Sequence, residues 1–127
     1  MKLVLDSNRY TDFWNGVAQV VEVLEAAEMV YMPFAVLGEL RSGFLNGSNS
    51  AQNERTLRTF LNKSDVEVLL GDDATTVHYA AIHHQLRIGG TPIPINDVWI
   101  AALAVQHALP LYTRDKHFDH IPQLMRI

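Results

Sequence analysis

GTPIPINDVWIAALAV, residues Gly90 to Val105, is the stretch on which the fold turns. Val98 to Val105 is apolar at every position, so as a helix it has no polar face and must be packed on all sides. Pro92 and Pro94 hold the approach extended, because a residue before proline avoids the helical region. Asn96 and Asp97 stand directly before the apolar run. Asn96 is placed as an N-cap and Asp97 in the first turn, where a carboxylate favours the helix dipole. An acid therefore sits at the mouth of the most buried helix. Taken alone, a helix start signal explains Asp97; its significance depends on acids elsewhere in the chain.

Working outward, Pro110 to Thr113 reads as a strand, Arg114 to Pro122 as a polar loop and Leu124 to Ile127 as a last edge strand. Upstream, Ala74 to Ile88 reads as a long helix begun at Asp72-Asp73 and ended at Gly89-Gly90, where a C-cap glycine belongs. Lys2–Asp6 is a short apolar run of the kind that forms a strand buried on both faces, and Met29–Pro33 and Val66–Leu70 read as further short strands. Between them lie a helical turn at Arg9–Trp14 and helices at Val17–Glu28, Phe34–Leu45 and Ala51–Asn62, with Ser7 and Asn8 as turn or cap residues. Strands alternate with helices throughout, which is the α/β pattern: a central, mainly parallel sheet with helices on both faces, a three-layer sandwich. In such sheets ligands bind beyond the carboxyl ends of the strands.

With 127 residues, one domain over 1–127 is expected. There is no cysteine, which excludes disulfides and thiolate metal sites and fits a reducing, cytoplasmic setting. No apolar run approaches a membrane span and no basic, apolar leader opens the chain. The net charge is −4, opposite to that of a typical nucleic-acid binder. A phosphate-rich partner is therefore bound locally or through metal, not by bulk charge.

Asp6, Glu39, Asp97 and Asp115 are the candidate site acids; three of them follow or flank buried elements, and Glu39 lies in the first half of the helix Phe34–Leu45. Singly, each has an ordinary role as a cap, a solvated helix position or a turn residue. Together they cannot all remain bare anions, because two unit charges 4 Å apart repel by about 4 kcal/mol at an effective dielectric of 20. Either some carboxyls are protonated or a divalent cation neutralises them, and oxygen ligands without cysteine would select magnesium or manganese. Metal held this way suits phosphodiester hydrolysis. Arg9, Arg41, Arg114 and Lys116 lie near these acids in sequence, as local ion pairs or as contacts to substrate phosphates. His117 and His120 share the loop of Asp115 and Asp119, but their spacing matches no zinc signature.

The segments VLDSN (4–8), LGELRSGF (37–44), TPIPINDVWIAALA (91–104) and LPLYTRDKHFDHIP (109–122) resemble those of PIN-domain ribonucleases, specifically the VapC-type toxins of type II toxin–antitoxin systems, in order and spacing over essentially the whole chain. The resemblance implies a PIN-like fold and a metal-dependent endoribonuclease in which Asp6, Glu39, Asp97 and Asp115 are catalytic and ligate Mg2+ or Mn2+. It also implies that Asn8 and Thr113 line the site. The expected partners are an RNA substrate, tRNA or rRNA among the choices, a small cognate antitoxin and a second copy in a homodimer. Arg114 and Arg9 are expected to position substrate, and Asp119 is an additional ligand ranked below Asp115. Ser7 and Ile95 stand where many relatives carry threonine; Ser7 keeps the hydroxyl and Ile95 loses one. A receiver-type signalling domain fits poorly, because Asp6 is not one of an acid pair and the third strand ends Leu70-Gly71. The remaining alternative is a non-catalytic PIN-fold scaffold binding RNA or a partner, which has no need of four clustered acids.

Overall fold

Four short apolar runs pair as β1 (Lys2–Leu5), β2 (Met29–Pro33), β3 (Val66–Leu69) and β4 (Leu111–Tyr112) in the computed structural model, which describes residues 1–127. All pairings are parallel and the order is β3-β2-β1-β4. The interior strand β1 is buried at Leu3, Val4 and Leu5, as an apolar run covered on both faces must be. The chain runs from β1 through β2 to β3 on one side, then crosses to place β4 on the other side of β1. The strand order reverses between β1 and β4, and in open parallel sheets a crevice opens there, beyond the carboxyl ends.

Six helices flank the sheet: α1 (Ser7–Trp14), α2 (Ala18–Ala26), α3 (Phe34–Leu45), α4 (Ser50–Leu61), α5 (Asp73–Ile88) and α6 (Ile95–Gln106). The helix expected at the centre is α6, buried at Val98 and from Ile100 to Ala104. Trp99 is half-buried and stacks on Tyr79 of α5, with ring centroids 4.0 Å apart. One continuous core joins residues from Leu3 to Leu124.

The expected Asn96 cap is corrected. Pro94 is the N-cap of α6, in extended conformation, and no side chain caps the helix. The Pro94 carbonyl already accepts from the Asp97 and Val98 amides, so the first turn closes two residues earlier than the apolar run suggests. Asp97 is thereby released from capping and free to point elsewhere. Ser7 and Asn8 are likewise the first residues of α1, not turn residues, because Asp6 caps the helix through its own carboxylate. Arg114–Pro122 is not a plain loop: a 3-10 turn spans Lys116–His120, anchored by the fully buried Phe118. The C-terminal edge strand reduces to one parallel bridge between Leu111 and Arg126.

Two helix ends aim the chain at the site. At the end of α5 the Thr91 amide reaches the Leu86 carbonyl and the Gly90 amide reaches Arg87, a Schellman closure that needs a left-handed residue. Gly90 supplies it, with φ +70. The same pattern closes α6, where Leu109 bonds Ala104 and Ala108 bonds Val105. Here Ala108 adopts φ 53, a conformation that costs a residue with a Cβ about 1–2 kcal/mol, and this turn feeds β4 directly.

Candidate metal centre

The crevice between β1 and β4 gathers the acids. Asp6 follows β1 and is only 3 % exposed. Its Oδ1 accepts from the Ser7 amide at 2.8 Å. Its Oδ2 accepts from the Thr113 hydroxyl at 2.7 Å and from Asn8 Nδ2 at 3.2 Å. Thr113 Oγ1 in turn accepts from the Asp115 amide at 3.0 Å, so one hydroxyl ties the acid after β1 to the acid after β4. Asp115 then caps the 3-10 turn, its Oδ1 accepting from the His117 amide at 2.9 Å.

Asp97, 7 % exposed, reaches the cluster from the first turn of α6. His117 Nδ1 lies 2.9 Å from Asp97 Oδ2 and 3.2 Å from Asp115 Oδ1. One ligand atom each from Asp97, Asp115 and His117 lies within 4.8 Å of the other two. Glu39, on α3, accepts from the Ser7 hydroxyl at 3.1 Å through Oε2. Its Oε1 is buried with no hydrogen-bond partner.

The electrostatics follow from burial and crowding. Burial pushes the Asp6, Glu39 and Asp97 carboxyls above their ordinary values. Asp115 adds repulsion at all three, and Glu39 also feels Asp6 and Asp97. The hydrogen bond to Asp97 raises His117, with the nearby Asp115 charge adding to it. Desolvated like charges with an orphaned oxygen are costly unless a cation neutralises them. The donor set fits such a cation: hard carboxylate oxygens from Asp6, Glu39, Asp97 and Asp115, with one imidazole nitrogen at hand.

A prediction follows directly. Without metal, Glu39→Gln raises Tm by about 2–5 °C at neutral pH, the scale set by relief of roughly 1 kcal/mol in a domain this size. Because burial lifts the folded-state value of Glu39 above 4.5, its ionisation opposes folding. That cost is absent below the unfolded value and grows as pH rises through the folded one. The gain therefore shrinks as pH falls toward the ordinary carboxylate range. Manganese stabilises the parent and much less so the variant; thermal melts with EDTA and with Mn2+ at several pH values check both statements.

The structure places the other candidates unevenly. Asn8 and Thr113 stand at the cluster. Asp119 is exposed and pairs with Arg126, away from the group formed by Asp97, Asp115 and His117. Arg41 pairs with Glu54 on α4, not with Glu39. Arg9 and Arg114 both bind Asp12: Arg9 Nη1 at 3.2 Å, Arg114 Nε at 3.0 Å and Arg114 Nη2 at 3.3 Å. The Arg114 hydrogen bond holds the Asp12 carboxyl below its ordinary value. Arg9 also lies over the Tyr112 ring, 4.8 Å from its centroid. Sequence reading missed Asp12 and undervalued His117. Asp12 carries no motif; its one visible signal is a position three residues after Arg9 on a helix. For His117 the signal was adjacency to Asp115.

A groove of about 340 Å3 opens where α1, α3 and α4 meet, walled by Tyr10, Trp14, Leu40, Phe44, Asn53 and Thr56. α1 and α3 thus leave apolar surface in this groove. α2 turns Val20 and Leu24 into the core. Trp14 remains 47 % exposed beside Tyr10 and Phe13. No helix is long and apolar enough to cross a membrane.

The family model described as the PIN domain matches residues 4–124. Ribonuclease VapC5 of Mycobacterium tuberculosis is 37 % identical over 115 residues, covering 91 % of this chain and 84 % of its own. Ribonuclease VapC4 of the same organism is 36 % identical over 88 residues, 69 % of this chain and 68 % of its own. Among solved structures, a chain from VapBC2 of Rickettsia felis bound to a promoter DNA fragment superposes with TM-score 0.89 at 26 % identity, covering 100 % of this chain and 98 % of that one.

Proposed function

The chain belongs to the PIN-domain family, among the VapC-type ribonucleases, and from that premise we propose that it is a metal-dependent endoribonuclease toxin whose site is the Asp6, Glu39, Asp97 and Asp115 cluster. The observation that carries this reading is the convergence of buried like charges at the β1/β4 crevice, with Glu39 Oε1 left unpartnered. Mg2+ or Mn2+ is the cation proposed for these oxygens. When bound, such an ion braces a phosphoryl oxygen and lowers the pKa of a water poised for in-line attack.

The chain's own groups divide the remaining work. Asp6 is locked by Thr113, Asn8 and the Ser7 amide, so its carboxylate is oriented before any ligand arrives. His117 holds the Asp97 carboxylate from Nδ1, with the tautomer that donates to it, and fixes its rotamer across 20 residues of sequence. Phe118 beneath the turn keeps Asp115 and His117 on a fixed base. The substrate is an RNA strand, with tRNA or rRNA as the proposed targets. Arg114, Arg9, Asn8 and Thr113 are proposed to position it.

A small antitoxin is the proposed inhibitor, in keeping with neighbours that are themselves VapBC complexes. The groove between Trp14 and Phe44 suits a helix presenting spaced apolar anchors. A second copy is proposed to pack on the depression lined by Phe34, Leu70 and Trp99, where Leu70 is 68 % exposed. Light scattering of the purified chain is expected to give twice the monomer mass, and a monomer at micromolar concentration would contradict this part of the proposal. The test of the whole is cleavage of total RNA by protein freed of any partner, with Mg2+ or Mn2+ and with EDTA. Discrete fragments that require metal support the nuclease. Absence of cleavage across tRNA, rRNA and total RNA with metal present would instead favour the scaffold.

A further inference from the structure

One cleft opens beside the acids and extends past Asp115, away from Asp6 and Asp97. It has a volume of about 450 Å3 and is bounded by Thr113, Arg114, Asp115, Lys116, Asp119 and Arg126, within the size range of small-ligand sites. It shares Thr113 and Asp115 with the metal centre, so a strand lying across the acids continues into it. Three cations converge there in a chain whose net charge is −4. Elsewhere around the site Arg41 is taken up by Glu54, and Arg9 shares Asp12 with Arg114.

The cleft's cations are held but not used up. Arg114 gives Nε and Nη2 to Asp12 and its backbone amide to Asn8 Oδ1 at 3.3 Å, which leaves Nη1 free. Asp12 is 9 % exposed, so the guanidinium is fixed from a rigid helix before substrate binds. Arg126 gives Nη1 to Asp119 and keeps Nε and Nη2 free. Its backbone is pinned to β4, the Leu111 amide bonding Met125 at 2.9 Å and the Ile127 amide bonding Leu111 at 3.0 Å. Lys116, exposed between them, has no carboxylate partner. Of the cleft's two acids, Asp119 is neutralised by Arg126 and Asp115 faces His117 and the metal centre.

We propose that this cleft is a phosphate subsite that takes the RNA backbone phosphate next to the scissile one, with Arg114, Lys116 and Arg126 as its donors and Asp12 as the residue that positions Arg114. It rests on the reading of the chain as a ribonuclease. Phosphate contacts of this kind set register on the strand without reading its sequence. Fixing Arg114 in advance spares the ordering cost that a free arginine pays on binding.

The test uses the full chain carrying Asp97→Asn, so that RNA is bound and not cut, beside the same chain with Asp97 intact in a cleavage assay. The probe is a fluorescein-labelled single-stranded oligoribonucleotide, read by anisotropy over a series of salt concentrations. Lys116→Gln and Arg126→Gln are each expected to weaken binding three- to tenfold. Each is also expected to flatten the slope of log affinity against log salt by about 0.7, the value for one phosphate contact on a single strand. Asp12→Asn is expected to weaken binding in the parent and to add nothing once Arg114→Gln is present, a non-additivity that a merely structural role would not produce. Lys63→Gln, on the opposite, amino edge of the sheet before β3, is the control and is expected to change neither quantity. Unchanged affinity and slope in Lys116→Gln and Arg126→Gln, while the intact chain cleaves RNA, would overturn the subsite and leave the nuclease standing. Equal losses in Lys63→Gln would also overturn it. A parent chain that neither binds nor cleaves RNA would overturn both.

Discussion

Asp97→Asn is expected to reduce RNA cleavage by about a hundredfold or more while leaving the fold intact. The loss of cleavage and the survival of the fold have separate physical origins. Asp97 is 7 % exposed, lies in the same group as Asp115 and His117, and has its carboxyl raised chiefly by burial. Asparagine keeps the shape but removes the charge that a cation needs, and it turns the charge-assisted bond to His117 into a weaker neutral one. The helix does not suffer, because α6 is capped by no side chain and its first carbonyl bonds are made by Pro94. Losing one of several crowded charges lowers repulsion, so thermal stability in EDTA should be equal to or above the parent's. Fragment patterns on a denaturing gel, with Mn2+ titrated by calorimetry and melts by circular dichroism, check the three parts together. A fully active Asp97→Asn protein would remove the acid cluster from the mechanism.

Phe118→Ala is expected to cost about 3–5 kcal/mol of stability, the usual range for emptying a buried aromatic site. Phe118 has no exposed surface and is the largest of the fully buried side chains. It also sits in the turn that begins at Asp115 and carries His117. The cavity left behind should therefore loosen two groups of the candidate metal centre as well as the core. Urea melts should show the loss in midpoint, and calorimetry should show weaker Mn2+ binding even where the variant is fully folded. Phe118→Leu, which refills most of the volume, should recover the larger part of both. Unchanged stability in Phe118→Ala would mean that the turn is not anchored through this ring.

Much of the fold was legible because it is written in local composition. The runs at Leu3–Leu5, Val30–Met32 and Leu111–Tyr112 are apolar because both faces are covered, and they read as strands for that reason. α3 spans Phe34–Leu45 as its spacing indicates. β3 is legible as a strand although it lies at the sheet edge, where Glu67 and Val68 are exposed. Boundaries were less legible where backbone competes with side chain: Asn96 resembles a cap, yet the proline two residues earlier had already closed the turn. Asp6, Asp97 and Asp115 could be singled out by their places after or before buried elements, whereas Glu39, inside α3, was picked out by the family resemblance of LGELRSGF.

The sequence by itself determined the strand–helix alternation, the buried central helix and the four acids, since each depends on residues within one or two turns of one another. Only the tertiary structure decided what those acids touch. Thr113 reaches Asp6 across 107 positions, Arg114 reaches Asp12 across 102, and His117 reaches Asp97 across 20. These contacts exist because β1 and β4 pair in parallel with Val4 beside Leu111 and Leu5 beside Tyr112, which brings the residues after each strand to one edge. Local pattern specifies which surfaces must be buried, but the register of a parallel pair formed through a long crossover is set by the packing of the whole core, and that register selects the partners at the site.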